Sequence, residues 1–297
     1  MTLPKDFKVV DLTHRLPGPT AGKIFCDLGA KVIKIEDEKF KDPFLSGLFN
    51  DSDDHFTKWY RELNSKKELL RFDFKAASAK QTLYEQLQDS HILLIAGPSK
   101  IYENLGVSKN LLSSHFPSLT VIELKAGSGK FKNLHDLNAL ANAGLLDMHV
   151  ESKSESIIRP PFLPIAGITF GHWVVTKALA AKLANNNWLE ASLEEATETI
   201  LVPFKSSGEG TPRYLHNGKF PCYCLYKTFD SRALAIAAVE DKFWSRFLEL
   251  FELKLTMEDR FDTSERVFKI ISKKISQLNS NEILSVLENE DICISLV

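Results

Sequence analysis

The chain has 297 residues, of which 44% are hydrophobic and 26% charged, and this balance excludes an intrinsically disordered chain. The formal net charge is −2, from 37 basic and 39 acidic residues, which excludes net electrostatic attraction to nucleic acid or to an anionic membrane. No apolar run approaches the ~20 residues that cross a bilayer, and no signal-peptide segment opens the chain, so a cytoplasmic location without membrane contact is expected. The 4 cysteines form no CxxC pair, so neither a disulfide nor a metal site is expected.

The first half of the chain alternates short apolar segments with helical patterns. Strands are predicted at 7–12, 31–36, 69–74, 91–96 and 119–124, and helices at 19–28 and 76–88. Strands that alternate with helices predict an α/β fold with a parallel sheet covered on both faces.

The second half of the chain is predicted to form further helices and a separate small domain. Helices are predicted at 135–148, 171–183 and 193–200, and the stretch from Pro160 to Gly171 is interpreted as a turn with Gly167 and Gly171. The polar segment KSSGEGTP, residues 205–212, is predicted to link a large domain, 1–204, to a small domain, 213–297. Strands at 224–228, 233–239 and 292–297 and a helix at 241–251, with two more helices, are predicted in the small domain.

Several segments together resemble one known family. VVDLTHRLPGPTAGKIFCDLGAKVIKIED resembles the N-terminal signature of the family III CoA-transferases (CaiB/BaiF-like), and its LPGP resembles the α-methylacyl-CoA racemase branch. The segments LNSKKELLRFDFK, HDLNALA, FPCYCLYKTFDSRALAIAAVEDKFW and NEDICISLV resemble later family segments in the same order. The resemblance implies a large Rossmann-like domain, a smaller α+β domain and a homodimer of interlocked rings. The sequence ends at Val297, and the small domain is predicted to lack the family's C-terminal return segment.

The resemblance also implies the chemistry. Racemases of this family remove and replace the proton beside a thioester carbonyl with a histidine and an aspartate, supported by a glutamate. His135 matches the histidine, Glu240 the glutamate, and Gly167 stands at the aspartate position. In the transferases that aspartate carries the acyl group, so both reactions lose a central group. Asp136 is expected to be a poor substitute, because adjacent helix residues point about 100° apart.

Two interpretations of function therefore remain. One is a protein acting on or binding acyl-CoA thioesters with altered or reduced catalysis; the other is a catalytically inactive homologue that serves as a binding or partner subunit, alongside a complete paralogue. From the residues alone, His135 could be a structural residue at a helix start, and Glu240 could simply open the following helix.

CoA or an acyl-CoA is the expected ligand, without a metal. At the positions where racemases carry phosphate-binding arginines, this chain has Asp37, Gly97-Pro98 and Asn104. Lys66 and Lys67 are the remaining candidates for phosphate contacts, or else a solvated turn before a strand.

Overall fold

The computed structural model describes residues 2–45, 55–97, 99–129, 133–146, 163–202 and 215–297. The chain divides into two compact units, Met1–Ser206 and Ser207–Val297. Residues 205–212, predicted as the linker, lie outside the described ranges together with the prolines 160–161, so the linker stays a prediction.

A six-stranded parallel sheet forms the centre of the first unit, in the order β3-β2-β1-β4-β5-β6. Its strands are β1 (Lys8–Asp11), β2 (Lys31–Asp37), β3 (Glu68–Phe72), β4 (Ile92–Ala96), β5 (Thr120–Lys125) and β6 (Trp188–Ser192). The helices are α1 (Pro17–Asp27), α2 (His55–Asn64), α3 (Ala79–Leu87), α4 (Ser99–Glu103), α5 (Lys109–His115), α6 (Asp136–Asn142), α7 (Ile165–Leu183) and α8 (Leu193–Leu201). The predicted Rossmann-like α/β fold is confirmed.

Each face of this sheet carries its own apolar core. Successive strand residues point to opposite faces, so Val9 packs with α1 and α7 on one side while Val10 packs with α3 on the other. The sheet is buried on both sides, which is why β4 appears in the sequence as a continuous apolar run, ILLIA. The order of the strands reverses between β1 and β4, and this switch point opens toward the carboxyl ends of the strands.

Helix α7 begins earlier than the sequence predicts. It starts at Ile165 and includes both glycines, so the prediction of a turn followed by a helix from Gly171 is wrong. Gly171 is required by packing, because a Cβ there would lie 2.6 Å from Thr20 Cγ2 and 3.0 Å from the Pro17 carbonyl oxygen. Because Gly171 has no side chain, α7 crosses α1 closely. A glycine that packing requires can therefore lie inside a helix and does not mark its start.

The second unit is an antiparallel sheet with helices. Its sheet has the order β7-β8-β9, formed by β7 (Tyr223–Lys227), β8 (Ala233–Ala237) and β9 (Ile294–Leu296). Its helices are α9 (Asp241–Leu250), α10 (Glu265–Ile275) and α11 (Ser280–Leu287). Trp244 and Phe247, both fully buried on α9, pack in one apolar core with Ile271 of α10, as the helical spacing of the aromatic residues predicts.

Candidate functional site

The loop after β1 places several polar and close-packed groups at the switch point of the sheet. Asp11 ends β1, and its Oδ1 accepts hydrogen bonds from the backbone N–H and the hydroxyl of Thr13. In the first turn of α1 the backbone of Gly18 packs directly against the Thr13 side chain, because a Cβ at Gly18 would lie 2.0 Å from Thr13 Oγ1. In open α/β sheets, ligands bind outside the carboxyl ends of the strands at such a switch point.

A buried ion cluster underlies this loop. Asp11 Oδ2 accepts from Lys67 Nζ at 2.9 Å, and Lys34 Nζ lies 3.7 Å from Asp11 Oδ1. Burial alone would raise the pKa of Asp11, but the two ammonium groups hold the pKa of this carboxyl well below its usual value. Within the described ranges Lys34 Nζ has no hydrogen-bond partner, and its ion pair there is the one with Asp11.

Lys67 is built into this cluster. Besides Asp11 it donates to the Pro19 carbonyl and to Asn64 Oδ1, both at 2.9 Å. The Lys67 side chain lies against Gly22, where a Cβ would be 2.7 Å from Lys67 Nζ. An ammonium has three donors, so these three acceptors occupy all of them. A phosphate contact by Lys67 stays a prediction, one that would require an existing bond to be exchanged.

Lys66 has a different environment. Its side chain is 59% exposed, and its ammonium bonds to Asp27 Oδ1 at 2.6 Å, while Lys23 bonds to the other oxygen of the same carboxylate at 2.6 Å. An exposed ion pair contributes little to stability and exchanges readily for another anion. Of the two lysines, Lys66 is the one whose charge is accessible to a phosphate.

The end of α7 is organised by Asp136. Gly167 N–H donates to Asp136 Oδ1 at 2.6 Å, and the Ala166 N–H bonds to the same carboxylate. These are first-turn amides, which have no partner inside the helix, so the carboxylate caps α7 from outside. A Cβ at Gly167 would lie 3.5 Å from Asp136 Oδ1 and 3.1 Å from Leu16 Cδ2. Because Leu16 belongs to the loop after β1, this carboxylate lies at the switch point.

His135 and Gly167, two of the residues singled out from the sequence, therefore lie in one region. His135 precedes α6 as an exposed residue, and its backbone N–H bonds to Asn138 Oδ1 at 3.3 Å. The angle of about 100° between neighbouring helix residues does not apply to His135 and Asp136, because His135 is the non-helical cap; the role of Asp136 stays a prediction. The sequence signal for Asp136 is its position next to His135 at the start of a helix.

Glu240 belongs to the second unit. It is exposed, and it precedes α9 as the N-terminal cap residue without a capping hydrogen bond from its side chain. Its carbonyl accepts from the amides of Phe243 and Trp244, which opens the helix. The structure places it within its own unit, and its pairing with His135 stays a prediction.

Among the residues that the structure describes, no three His, Cys, Asp or Glu side chains come together as a metal-binding group. Among the same residues, no helix is long and apolar enough to span a membrane.

A parallel sheet in this order, with polar groups and a capped helix end at its switch point, is typical of α/β proteins that bind ligands at the carboxyl ends of their strands. The family model of CoA-transferase family III matches residues 5–297. The chain belongs to this family.

Individual relatives agree with the match. The chain is 22% identical to the Caenorhabditis elegans CaiB/baiF CoA-transferase family protein ZK892.4, over 98% of this chain and 84% of that protein. It is 23% identical to the Homo sapiens alpha-methylacyl-CoA racemase, over 97% of this chain and 76% of the racemase. Its fold is similar to that of the hypothetical protein Rv3272 from Mycobacterium tuberculosis, with a TM-score of 0.74 at 18% identity, over 100% of this chain and 84% of that one.

Proposed function

We propose that this protein binds an acyl-CoA thioester at the switch point of its large sheet and acts on it with altered or reduced catalysis. The observation that carries the proposal is the family match across residues 5–297. The arrangement at the end of α7 supports it, because a half-buried carboxylate and an exposed imidazole are next to each other in the chain at the place where such sheets bind ligands.

Lys66 supplies the phosphate contact in this proposal, and because it precedes β3 and bonds to Asp27 at the C-terminal end of α1, the extended nucleotide arm of CoA would have to reach it from the switch point. Its exposed ammonium is free to leave Asp27 for a phosphate group, whereas the Lys67 ammonium is enclosed by three oxygen atoms. The nucleotide end of CoA carries several negative charges, and a lysine at the protein surface recognises them as a point charge.

Binding is tested by thermal unfolding of the purified protein with CoA and with a 2-methylacyl-CoA. A ligand at 100 times its Kd adds about 2.7 kcal/mol to the free energy of unfolding, which for a unit of this size raises Tm by about 5–10 °C. Lys66→Ala is expected to weaken the affinity for CoA about fivefold, the loss of one exposed charge contact of about 1 kcal/mol. Lys23→Ala is the matched control, because Lys23 bonds to the same Asp27 carboxylate. A Tm that neither ligand changes would refute the proposal.

A second candidate is a catalytically inactive homologue that binds a ligand or a partner subunit, such as a complete paralogue. The glycine at position 167 favours it, because the backbone there offers no acid, base or nucleophile. Binding of the thioester without any exchange of its α-proton is the result that would select this candidate. A homodimer is expected in either case, and sedimentation of the purified protein tests it.

A further inference from the structure

The carboxylate of Asp136 is half-buried and has no cationic partner in the described part of the chain. Two buried carboxylates of the first unit have cationic partners: Asp11 lies between two lysines, and Glu36 bonds to Arg71 and to the Tyr60 hydroxyl. Asp42, like Asp136, accepts from backbone amides, those of Arg15 and Phe44. Among the described residues, backbone amides of α7 stabilise the charge on Asp136. Its cap on α7 contributes to stability, and its place at the switch point beside position 167 also suits a group that changes its protonation state.

We infer that Asp136 is the acid-base residue of this site, the group that removes and returns the α-proton of the bound acyl thioester; the inference rests on the proposed function. In the forward step the α C–H bond breaks, its electron pair moves onto the thioester carbonyl as an enolate, and a new O–H bond forms on the carboxyl. In the reverse step the carboxyl returns a proton to the carbon atom. The two steps together need no other reactant. Because the carboxyl proton exchanges with solvent, the steps can be followed in D₂O as incorporation of deuterium at the α-carbon.

Asp136 lies directly beside position 167. A Cβ there would lie 3.5 Å from Asp136 Oδ1, an ordinary van der Waals contact, so a carboxylate on residue 167 and that of Asp136 would be neighbours. With glycine at 167, Asp136 supplies the carboxylate at this place. A carboxylate can accept about four hydrogen bonds, and two backbone amides leave acceptor positions for a proton.

The surroundings suit the chemistry. Burial raises the pKa of the Asp136 carboxyl above its usual value, against the effect of the two amides, and a higher pKa makes a stronger base. Leu137 follows Asp136 in α6, and Leu163 and Ile165 lie at the start of α7, whose amides bond to Asp136; their exposures over the described residues are 47%, 54% and 39%. They offer an apolar surface, and the thioester expected here therefore carries an apolar acyl group.

The test is hydrogen–deuterium exchange at the α-carbon of a 2-methylacyl-CoA in D₂O, followed by mass spectrometry. Asp136→Asn keeps an oxygen acceptor for the α7 amides but cannot take the proton, and it should slow exchange by about 10²-fold or more. Its ligand-induced rise in Tm should equal that of the parent protein, which separates the inference from the proposal of binding. Asn142→Ala, on an exposed residue at the other end of α6, is the control expected to exchange at the parent rate.

Two further variants keep the test decisive. Asp136→Ser offers another capping oxygen if the asparagine variant does not fold, and it should be equally slow. The double variant Asp136→Asn with Gly167→Asp returns a carboxylate to the same space from the other backbone and should regain exchange. Exchange by Asp136→Asn within threefold of the parent rate overturns the inference. So does a parent protein that binds the thioester without exchange; a protein that does not bind it overturns the proposed function as well.

Discussion

Replacing Asp11 with asparagine tests whether the ion cluster holds the first unit together. The substitution removes the negative charge that faces two lysines, at 2.9 Å from Lys67 Nζ and 3.7 Å from Lys34 Nζ. At an effective dielectric constant of about 20, each of these attractions amounts to about 5 kcal/mol. Desolvation of the ions offsets much of this, and removing one partner from a buried pair costs about 3–5 kcal/mol.

The loss should appear as a fall in Tm of about 6–20 °C for the first unit, at about 2–4 °C per kcal/mol for a domain of this size. Hydrogen–deuterium exchange of peptides from β1 and β2 in a urea series reports this unit separately. Glu68→Gln is the matched control, since it breaks an exposed pair with Lys31, in which both side chains are 58% exposed, and should cost less than about 1 kcal/mol. If Asp11→Asn costs no more than this control, the cluster is not the source of stability that the geometry indicates.

Three further predictions concern stability. The stabilisation by Asp11 should be constant above about pH 5 and should decline below about pH 4, because the pKa of Asp11 is depressed in the folded state. Urea unfolding of the parent and of Asp11→Asn measures this, and a difference between their free energies of unfolding that grows on acidification would contradict it. Gly171→Ala should destabilise α7 by about 1–3 kcal/mol through its clash with α1, whereas Thr176→Ala, on the exposed face, should not; equal urea midpoints would refute the packing argument. In the second unit, Phe247→Ala should cost about 3–5 kcal/mol by emptying a fully buried position, and Phe229→Ala, at 74% exposure, less than about 0.5 kcal/mol; similar losses would contradict the assignment of the core.

The sequence predicts the centre of the fold well, because buried strands are apolar on both faces. The segments around Val9, Val32 and Leu93 lie in the middle of the sheet, and each stands out in the sequence as a short apolar run. Strand β6 is not predicted, since it lies at the edge of the sheet and buries only Ala191. Helix α2 is not predicted either, because its buried face contains a single residue, Tyr60.

The candidate site is harder to predict, because its geometry depends on contacts between distant segments. The sequence identifies His135 and the glycine at 167, but the bond from Gly167 N–H to Asp136 crosses 31 positions of chain. Similarly, Lys66 and Lys67 are neighbours in the same polar turn, and only the packing of Gly22 against Lys67 makes one of them a buried partner of Asp11. No local pattern distinguishes the two lysines.

The ion cluster also constrains how this sequence can change during evolution. Asp11, Gly22, Lys34 and Lys67 come from four separate segments, yet each fits only in the presence of the others. A neutral residue at position 11 leaves two buried ammonium groups without their carboxylate, and any side chain at position 22 displaces the Lys67 side chain. Homologous chains should therefore substitute these positions jointly, and a set of relatives in which position 11 varies while 34 and 67 remain lysine is not expected.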